Sequence, residues 1–200
     1  MTGLDRLAAA GLAPLAGRRG GALGDPVDLA AASGAVDLRA LFGPQHGILG
    51  QTQDNMIEWE GFTDARSGVP VHSLYGEHRK PTPQMLADLD VLVVDLQDVG
   101  ARYYTFIWTL MLCMEACADA GVAVMVLDRP NPLGGLRTEG TVLDTAYQSF
   151  VGLAPIPMRH GLTIGELAGF FGAWRGLDLD LEVVPMEGWS RAMEFVATVL

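Results

Sequence analysis

The sequence predicts an α/β fold: a mostly parallel sheet with helices on both faces. Two observations carry this. Val91-Leu92-Val93-Val94 and Val122-Ala123-Val124-Met125-Val126-Leu127 are apolar throughout, as strands buried on both faces are. Helical stretches alternate with them, which is how parallel strands are connected. A third observation points to function. Val91–Val94 leads into Asp95-Leu96-Gln97-Asp98-Val99-Gly100-Ala101-Arg102-Tyr103-Tyr104-Thr105, Val122–Leu127 into Asp128-Arg129-Pro130-Asn131-Pro132, and Ala40-Leu41-Phe42 into Gly43-Pro44-Gln45-His46-Gly47. Ligands of open parallel sheets sit outside the carboxyl ends of the strands. The chemistry is therefore expected at that edge.

The elements follow in order. Residues 1–35 are rich in Ala and Gly and weakly patterned, a shortened first strand and helix unit, and residues 36–200 form the core. Leu4–Leu15 is a short helix. Gly17–Gly24 is a weak first strand with a glycine-rich exit. It lacks the G-x-G-x-x-G spacing of a dinucleotide turn. Val36–Phe42 is a strand, followed by a long polar loop from Gly43 to Gly68. Loops of that length in compact domains tend to be functional or disordered, and the polar residues of this one favour function. Val69–Leu74 is a short strand. Pro83–Leu89 is a helix with Thr82 as N-cap and proline at its first position. Val91–Leu96 is a central strand. Tyr103–Ala120 is the longest helix, stopped by Gly121. Val122–Leu127 is the next buried strand. Thr163-Ile164-Gly165-Glu166 has capping-box spacing and opens a helix through about Phe171. Leu179–Val184 is a last strand. No internal repeat or low-complexity linker is visible.

Composition narrows the function. Half of the residues are hydrophobic and 18% are charged, enough for a packed core and against general disorder. The net charge of -11 repels phosphate backbones and anionic membranes, and no basic stripe offsets it. Neither nucleic acid nor membrane is an expected partner. The N-terminus lacks a signal-peptide pattern and no run is long enough to span a bilayer, so a cytoplasmic location is expected. Cys113 and Cys117, four residues apart, suit one helix face and read as buried thiols.

Four clusters could carry chemistry. The long loop holds Gln45, His46, Asp54, Asn55 and Glu58; its carboxylates can act as acid or base if buried, or they can simply shape a solvated loop. Asp95, Asp98, Arg102, Tyr103 and Tyr104 either brace a turn or hold a ligand carboxylate through paired guanidinium hydrogen bonds, with a tyrosine ring for sugar stacking. Asp128, Arg129 and Asn131 are stiffened by Pro130 and Pro132, as a site or as a structural turn. Arg159 and His160 precede the capped helix, where an anion site is plausible, and His160 equally reads as a structural histidine. His46, His72, His78 and His160 show no metal-ligand spacing, and no Gly-x-Ser-x-Gly elbow occurs.

Five ordered motifs now become informative together. Leu41-Phe42-Gly43-Pro44-Gln45-His46-Gly47, Ser73-Leu74-Tyr75-Gly76, Asp95 to Thr105, Leu127 to Pro132, and Arg159-His160-Gly161-Leu162-Thr163-Ile164-Gly165-Glu166-Leu167 resemble the exo-β-N-acetylmuramidase family of NamZ type. The resemblance runs from about Leu38 to Arg191. It implies a Rossmann-like N-terminal domain, a smaller C-terminal domain absent from this chain, and a cleft between the two. It implies a cofactor-free glycoside hydrolase that removes terminal N-acetylmuramic acid from the non-reducing end of peptidoglycan fragments, with a muropeptide or amino sugar as substrate. Arg102, Arg129 and Arg159 become candidates for the lactyl carboxylate. The family's usual Gly-Pro-Glu-His-Gly reads Gly-Pro-Gln-His-Gly here, so Gln45 stands where a glutamate is a favoured catalytic candidate. Glu58, or after it Glu77, supplies the missing carboxyl, with Asp54 or Asp98 as partner. Gln45 also motivates the alternative of a sugar-binding module without catalysis. A metal-dependent hydrolase built on the Asp and His cluster is the third reading. The 200 residues alone are expected to be inactive.

Overall fold

The computed structural model describes residues 1–24, 36–48 and 57–198. Asp54 and Asn55 lie outside them. Among the described residues, seven strands form one sheet: β1 (Arg19–Gly24), β2 (Asp37–Gly43), β3 (Phe62–Thr63), β4 (Pro70–Ser73), β5 (Val91–Asp95), β6 (Ala123–Leu127) and β7 (Leu181–Val184). Their order is β3-β4-β2-β1-β5-β6-β7. Every pairing is parallel except β3 with β4. Among the described residues the helices are α1 (Gly3–Ala9), α2 (Pro83–Leu86), α3 (Phe106–Ala120), α4 (Ile164–Arg175) and α5 (Phe195–Thr198), with short 3₁₀ turns at Ala13–Leu15 and Thr145–Tyr147.

Alternation within the apolar runs assigns the two faces. Leu92, Val94, Val124 and Val126 pack against α3 and α4 in the larger core, where the Trp108 and Phe171 rings meet at 5.7 Å. Val91, Val93, Met125 and Leu127 point the other way, onto Leu7, Leu12 and Leu15 of the N-terminal segment. Both sides of the inner strands are thus covered, which is why their sequences carry no polar alternation. The two cysteines are free and buried in the larger core. Burial pushes the Cys117 thiol up to about 12. Among the described residues no helix is long and apolar enough to cross a membrane.

The glycine-rich β1 is the centre of the sheet, not a marginal edge. Its glycines admit neighbours rather than bind a nucleotide. A Cβ on Gly21 would lie 2.6 Å from Leu89 Cδ1 and 3.1 Å from Phe42 Cε2. The hydrophobic signal expected of a central strand is supplied by the side chains that lean over it.

Other boundaries moved for local reasons. The predicted helix over Leu4–Leu15 breaks after Ala9, where Gly11 and Leu12 take left-handed backbone and Pro14 enters a 3₁₀ turn. Within the long loop, β3 adds an antiparallel edge strand. The long helix starts at Phe106, because residues from Ala101 to Thr105 form a turn tied across to Met158 and Arg159. The Thr163 capping box forms as read, and α4 runs on to Arg175 before Gly176 ends it.

From β1 the chain passes to β2 on one side, while β5 lies on the other. The carboxyl ends of β1 and β5 therefore mark the topological switch point, where such sheets open a crevice.

Candidate functional site

Among the described residues, two hollows open at this edge. The first, about 370 Å³, lies at the switch point and is lined by Gly24, Pro44, His46, Gly47, Ile48, Asp95, Gln97, Tyr104, Phe106 and Arg129. The second, about 490 Å³, is lined by Gln45, Tyr75, Arg79, Tyr103, Thr105 and Phe150 among others. His46 and Tyr104 belong to both, so one mixed polar and aromatic cleft runs across the ends of β2, β1 and β5.

Local sequence explains how these groups are aimed. β2 ends at Gly43, and a Cβ there would lie 2.5 Å from the Trp59 ring. Trp59 donates its indole N–H to the Pro44 carbonyl at 3.2 Å, and its backbone N–H to the Tyr75 carbonyl at 3.1 Å. One tryptophan thereby pins the loop to the end of the sheet. The turn then forces His46 into left-handed backbone with φ of 73°, a conformation that costs a non-glycine residue about 1 kcal/mol or more. The outcome is an imidazole between two hollows. Gln45 is buried and accepts a hydrogen bond from the Thr105 hydroxyl at 2.8 Å. Tyr104 has its hydroxyl pKa raised, chiefly by burial and then by the nearby Asp98 charge, so it stays a neutral donor.

Arg129 grips Asp95 with two hydrogen bonds, Nε to Oδ1 at 2.5 Å and Nη2 to Oδ2 at 2.7 Å. The Asp95 side chain is fully buried and Arg129 keeps 21% of its side chain exposed. The pair is a polar floor for the first hollow, with Nε and Nη2 of the guanidinium engaged by the carboxylate.

Several predicted site residues turn inward and line neither hollow. Asp128 accepts from the Gly165 N–H at 2.8 Å, the Thr163 hydroxyl at 3.1 Å and the Arg129 N–H at 3.1 Å. It seats the N-terminus of α4. Asn131 is 1% exposed, donates to the Leu162 carbonyl and accepts from the Leu133 N–H, both at 2.9 Å. Arg102 is buried and sends Nη1 to the Thr141 and Ile156 carbonyls, both at 2.8 Å. Asp98 accepts from the Gly100 N–H at 2.8 Å and has His160 Nε2 at 3.1 Å, off the line of a hydrogen bond. His160 Nδ1 accepts from the Leu162 N–H at 3.2 Å, and Nε2 faces Asp98. Arg159 pairs with Glu139 at 3.1 Å and donates to the Leu133 carbonyl. Asp98 and Asp128 do end adjacent strands on one edge, as their sequence positions required; their side chains brace the loops behind the cleft.

Glu58 lies beside the second hollow. Its carboxylate accepts from Arg79 Nη2 at 3.0 Å, and its side chain is 63% exposed. A separate surface depression of about 580 Å³ holds Glu58, Glu60, His72, Glu77 and His78. Glu77 is more exposed still and sits 3.9 Å from His78. Among the described residues, no three His, Cys, Asp or Glu side chains gather as a metal site would require. Arg79, Tyr75, Thr105 and Phe150 escaped sequence reasoning. Tyr75 follows the Val69–Leu74 run directly and Thr105 closes the segment after Val91–Val94, but nothing local marks either as a lining residue; Phe150 reaches the cleft from a loop far along the chain.

Fold and site together define a doubly covered α/β domain with its ligand crevice at the switch point of the sheet. The chain belongs to the exo-β-N-acetylmuramidase NamZ family: the model of that family's N-terminal region matches residues 19–200. It is 46% identical, along its whole length, to the peptidoglycan β-N-acetylmuramidase NamZ of Bacillus subtilis strain 168, and covers 50% of that protein. Crystal structures of two DUF1343 family proteins from Bacteroides fragilis are also similar. One superposes with a TM-score of 0.90 at 42% identity over all of this chain and 53% of its own. The other gives 0.80 at 32% identity over 96% of this chain and 53% of its own. The chain thus spans about half the length of these relatives.

Proposed function

We propose that this chain is the cleft-bearing domain of a glycoside hydrolase that releases terminal N-acetylmuramic acid from the non-reducing end of peptidoglycan fragments. The observation that carries the reading is the 46% identity to a peptidoglycan β-N-acetylmuramidase along the entire chain. The cleft at the switch point supports it: it offers tyrosine faces for a sugar ring and donors at His46, Tyr104 and Arg79.

Glycosidases usually flank the scissile bond with two carboxyl groups, and an N-acetyl sugar can instead supply its own nucleophile. We assign Glu58 as proton donor, with Glu77 as the reserve candidate. Asp54 is the candidate for its partner, because Asp98 is buried behind the cleft against Gly100 and His160. Gln45, His46, Asn55, Tyr103 and Tyr104 contact the sugar. Arg102, Asp128, Asn131, Arg159 and His160 shape the walls from behind, and Arg129 with Asp95 forms the floor.

A second reading rests on Gln45, the amide in place of the family's usual glutamate: a sugar-binding module without turnover. The two separate on a chromogenic N-acetylmuramic acid glycoside, assayed with this chain and with a version extended by a family C-terminal half. The extended protein is expected to turn over and the 200 residues alone are not. In the extended protein, Glu58→Gln should lower turnover by about two to four orders of magnitude, the usual contribution of general acid catalysis, while sugar binding persists. Near-normal turnover by Glu58→Gln would remove Glu58 from the role, and equal turnover by the short and extended chains would place every catalytic group within these residues.

A further inference from the structure

We propose that Arg79 receives the carboxylate that distinguishes N-acetylmuramic acid from N-acetylglucosamine, and that it does so by exchanging Glu58 for the substrate. The inference rests on the muramidase reading and assigns that activity a specificity residue. Four arginines come near the cleft or its walls, and their partners differ in kind. Arg129 is closed by two bonds to the fully buried Asp95. Arg102 is buried and spends Nη1 on two main-chain carbonyls. Arg159 is engaged by Glu139 and the Leu133 carbonyl. Arg79 lines the second hollow and is held by Glu58 through one carboxylate oxygen at 3.0 Å, with a long 3.4 Å contact from Nη1 to the Gly76 carbonyl besides.

The rest of its environment is aromatic. The Arg79 guanidinium carbon lies 3.8 Å from the Tyr75 ring centroid and 5.3 Å from that of Phe150. These rings fix the plane of the fork whether or not Glu58 is present, so the cation is preorganised for a planar, bidentate partner. Glu58 supplies a monodentate, solvent-exposed contact, and exposed ion pairs of that kind are weak. A ligand carboxylate seated in the hollow can make two parallel bonds in its place. The exchange therefore loses little and gains geometry. A chain of net charge -11 repels an anionic substrate at a distance, which makes a fixed cation at the cleft the natural device for holding one.

The exchange also bears on Glu58. In the unliganded state its carboxylate is tied to Arg79. Once the lactyl carboxylate of the sugar takes Arg79, Glu58 is released beside a seated substrate. The acidic substituent of the correct sugar thus frees the acid, and a sugar without it does not.

The test is titration of N-acetylmuramic acid and, in parallel, N-acetylglucosamine into the extended protein, followed by NMR into the millimolar range. Arg79→Ala is expected to weaken N-acetylmuramic acid by about ten- to a hundredfold, the size of a charge-assisted hydrogen-bonded contact, and to leave N-acetylglucosamine within about twofold. Arg79→Lys, which keeps the charge and loses the fork, should fall between. Glu58→Gln removes the competitor and should tighten N-acetylmuramic acid by about two- to fivefold, with no change for N-acetylglucosamine. A gain of affinity cannot come from a damaged fold. Equal weakening of both sugars by Arg79→Ala, or indifference to it, overturns the assignment alone. Failure of Glu58→Gln to tighten binding overturns the exchange. Binding of neither sugar by the unsubstituted protein overturns the muramidase reading and this inference with it.

Discussion

Asp128→Ala should loosen the whole wall behind the cleft, and its cost can be worked from the contacts. Asp128 is 8% exposed and accepts from Gly165 N–H, Thr163 Oγ1 and Arg129 N–H. The first two belong to the start of α4, whose leading N–H groups have no partner within the helix. Hydrogen bonds to a charged acceptor contribute about 1.5–3 kcal/mol each, so these two give a gross loss of about 3–6 kcal/mol. Relief of the buried carboxylate returns part of that, for a net cost of about 2–4 kcal/mol. In a domain of this size each kcal/mol moves the melting temperature by about 2–4 °C, so a drop of roughly 5–15 °C is expected by circular dichroism. Gly165→Ala should act on the same joint, because its Cβ would lie 2.6 Å from Val183 Cγ1 and 2.9 Å from Asp128 Oδ1. Burial, the largest cause, raises the Asp128 carboxyl above its ordinary value of 3.8. The native state then holds that proton more tightly than the unfolded chain, so this contribution is fully present below 3.8 and is lost as pH rises through the raised native value. The gap between wild type and Asp128→Ala should accordingly be wider near pH 4 than near pH 7. A variant that melts within about 2 °C of wild type at both pH values would refute the claim that Asp128 seats α4.

Three further outcomes are expected. Asp95→Asn leaves Arg129 over a neutral floor and should cost about 3 kcal/mol in denaturant unfolding, at the low end for a broken buried pair because Arg129 reaches solvent. Arg19 donates to Asp90 and holds its carboxyl at about 2; that contribution is present above the ordinary value of 3.8 and is lost as pH falls toward 2, so Asp90→Asn should flatten the acid limb of an unfolding titration. If Gln45 and Glu58 serve one reaction centre, Gln45→Glu introduced into Glu58→Gln should recover at least about tenfold of the lost turnover in the extended protein, and no recovery with binding intact would assign the two positions to different tasks.

The sequence was legible where a local signal and the tertiary outcome share a cause. Val91–Val94 and Val122–Leu127 are apolar because both faces are covered, and that same burial puts them at the middle of the sheet. Thr163 and Glu166 cap α4 through bonds that span three residues, so their spacing alone reports the helix start. β1 was faint because its evidence lies in Leu89 and Phe42, which occupy the space its glycines leave. Within the cleft, the sequence located the edge but not the direction of each side chain. Asp128, Asn131 and Arg102 follow strands as ligand-binding residues do, yet each is drawn inward by a carbonyl or N–H group 31 or more residues away in sequence. Nothing at a residue's own position records such a distant partner.

The same reasoning explains why the cleft can be polar without being unstable. Its floor and rear wall are charges and amides that the fold itself satisfies: Asp95 by Arg129, Asp128 by the start of α4, Arg102 by two carbonyls. These groups are preorganised, so a ligand does not have to order them on arrival. The groups left with weak or exposed partners are Glu58 and Arg79, on the rim. A buried pair resists exchange because parting it strands a charge away from water, whereas an exposed pair can trade partners at little cost. On the proposed reading, recognition of an acidic sugar falls where exchange is cheap, and rigidity where it is not.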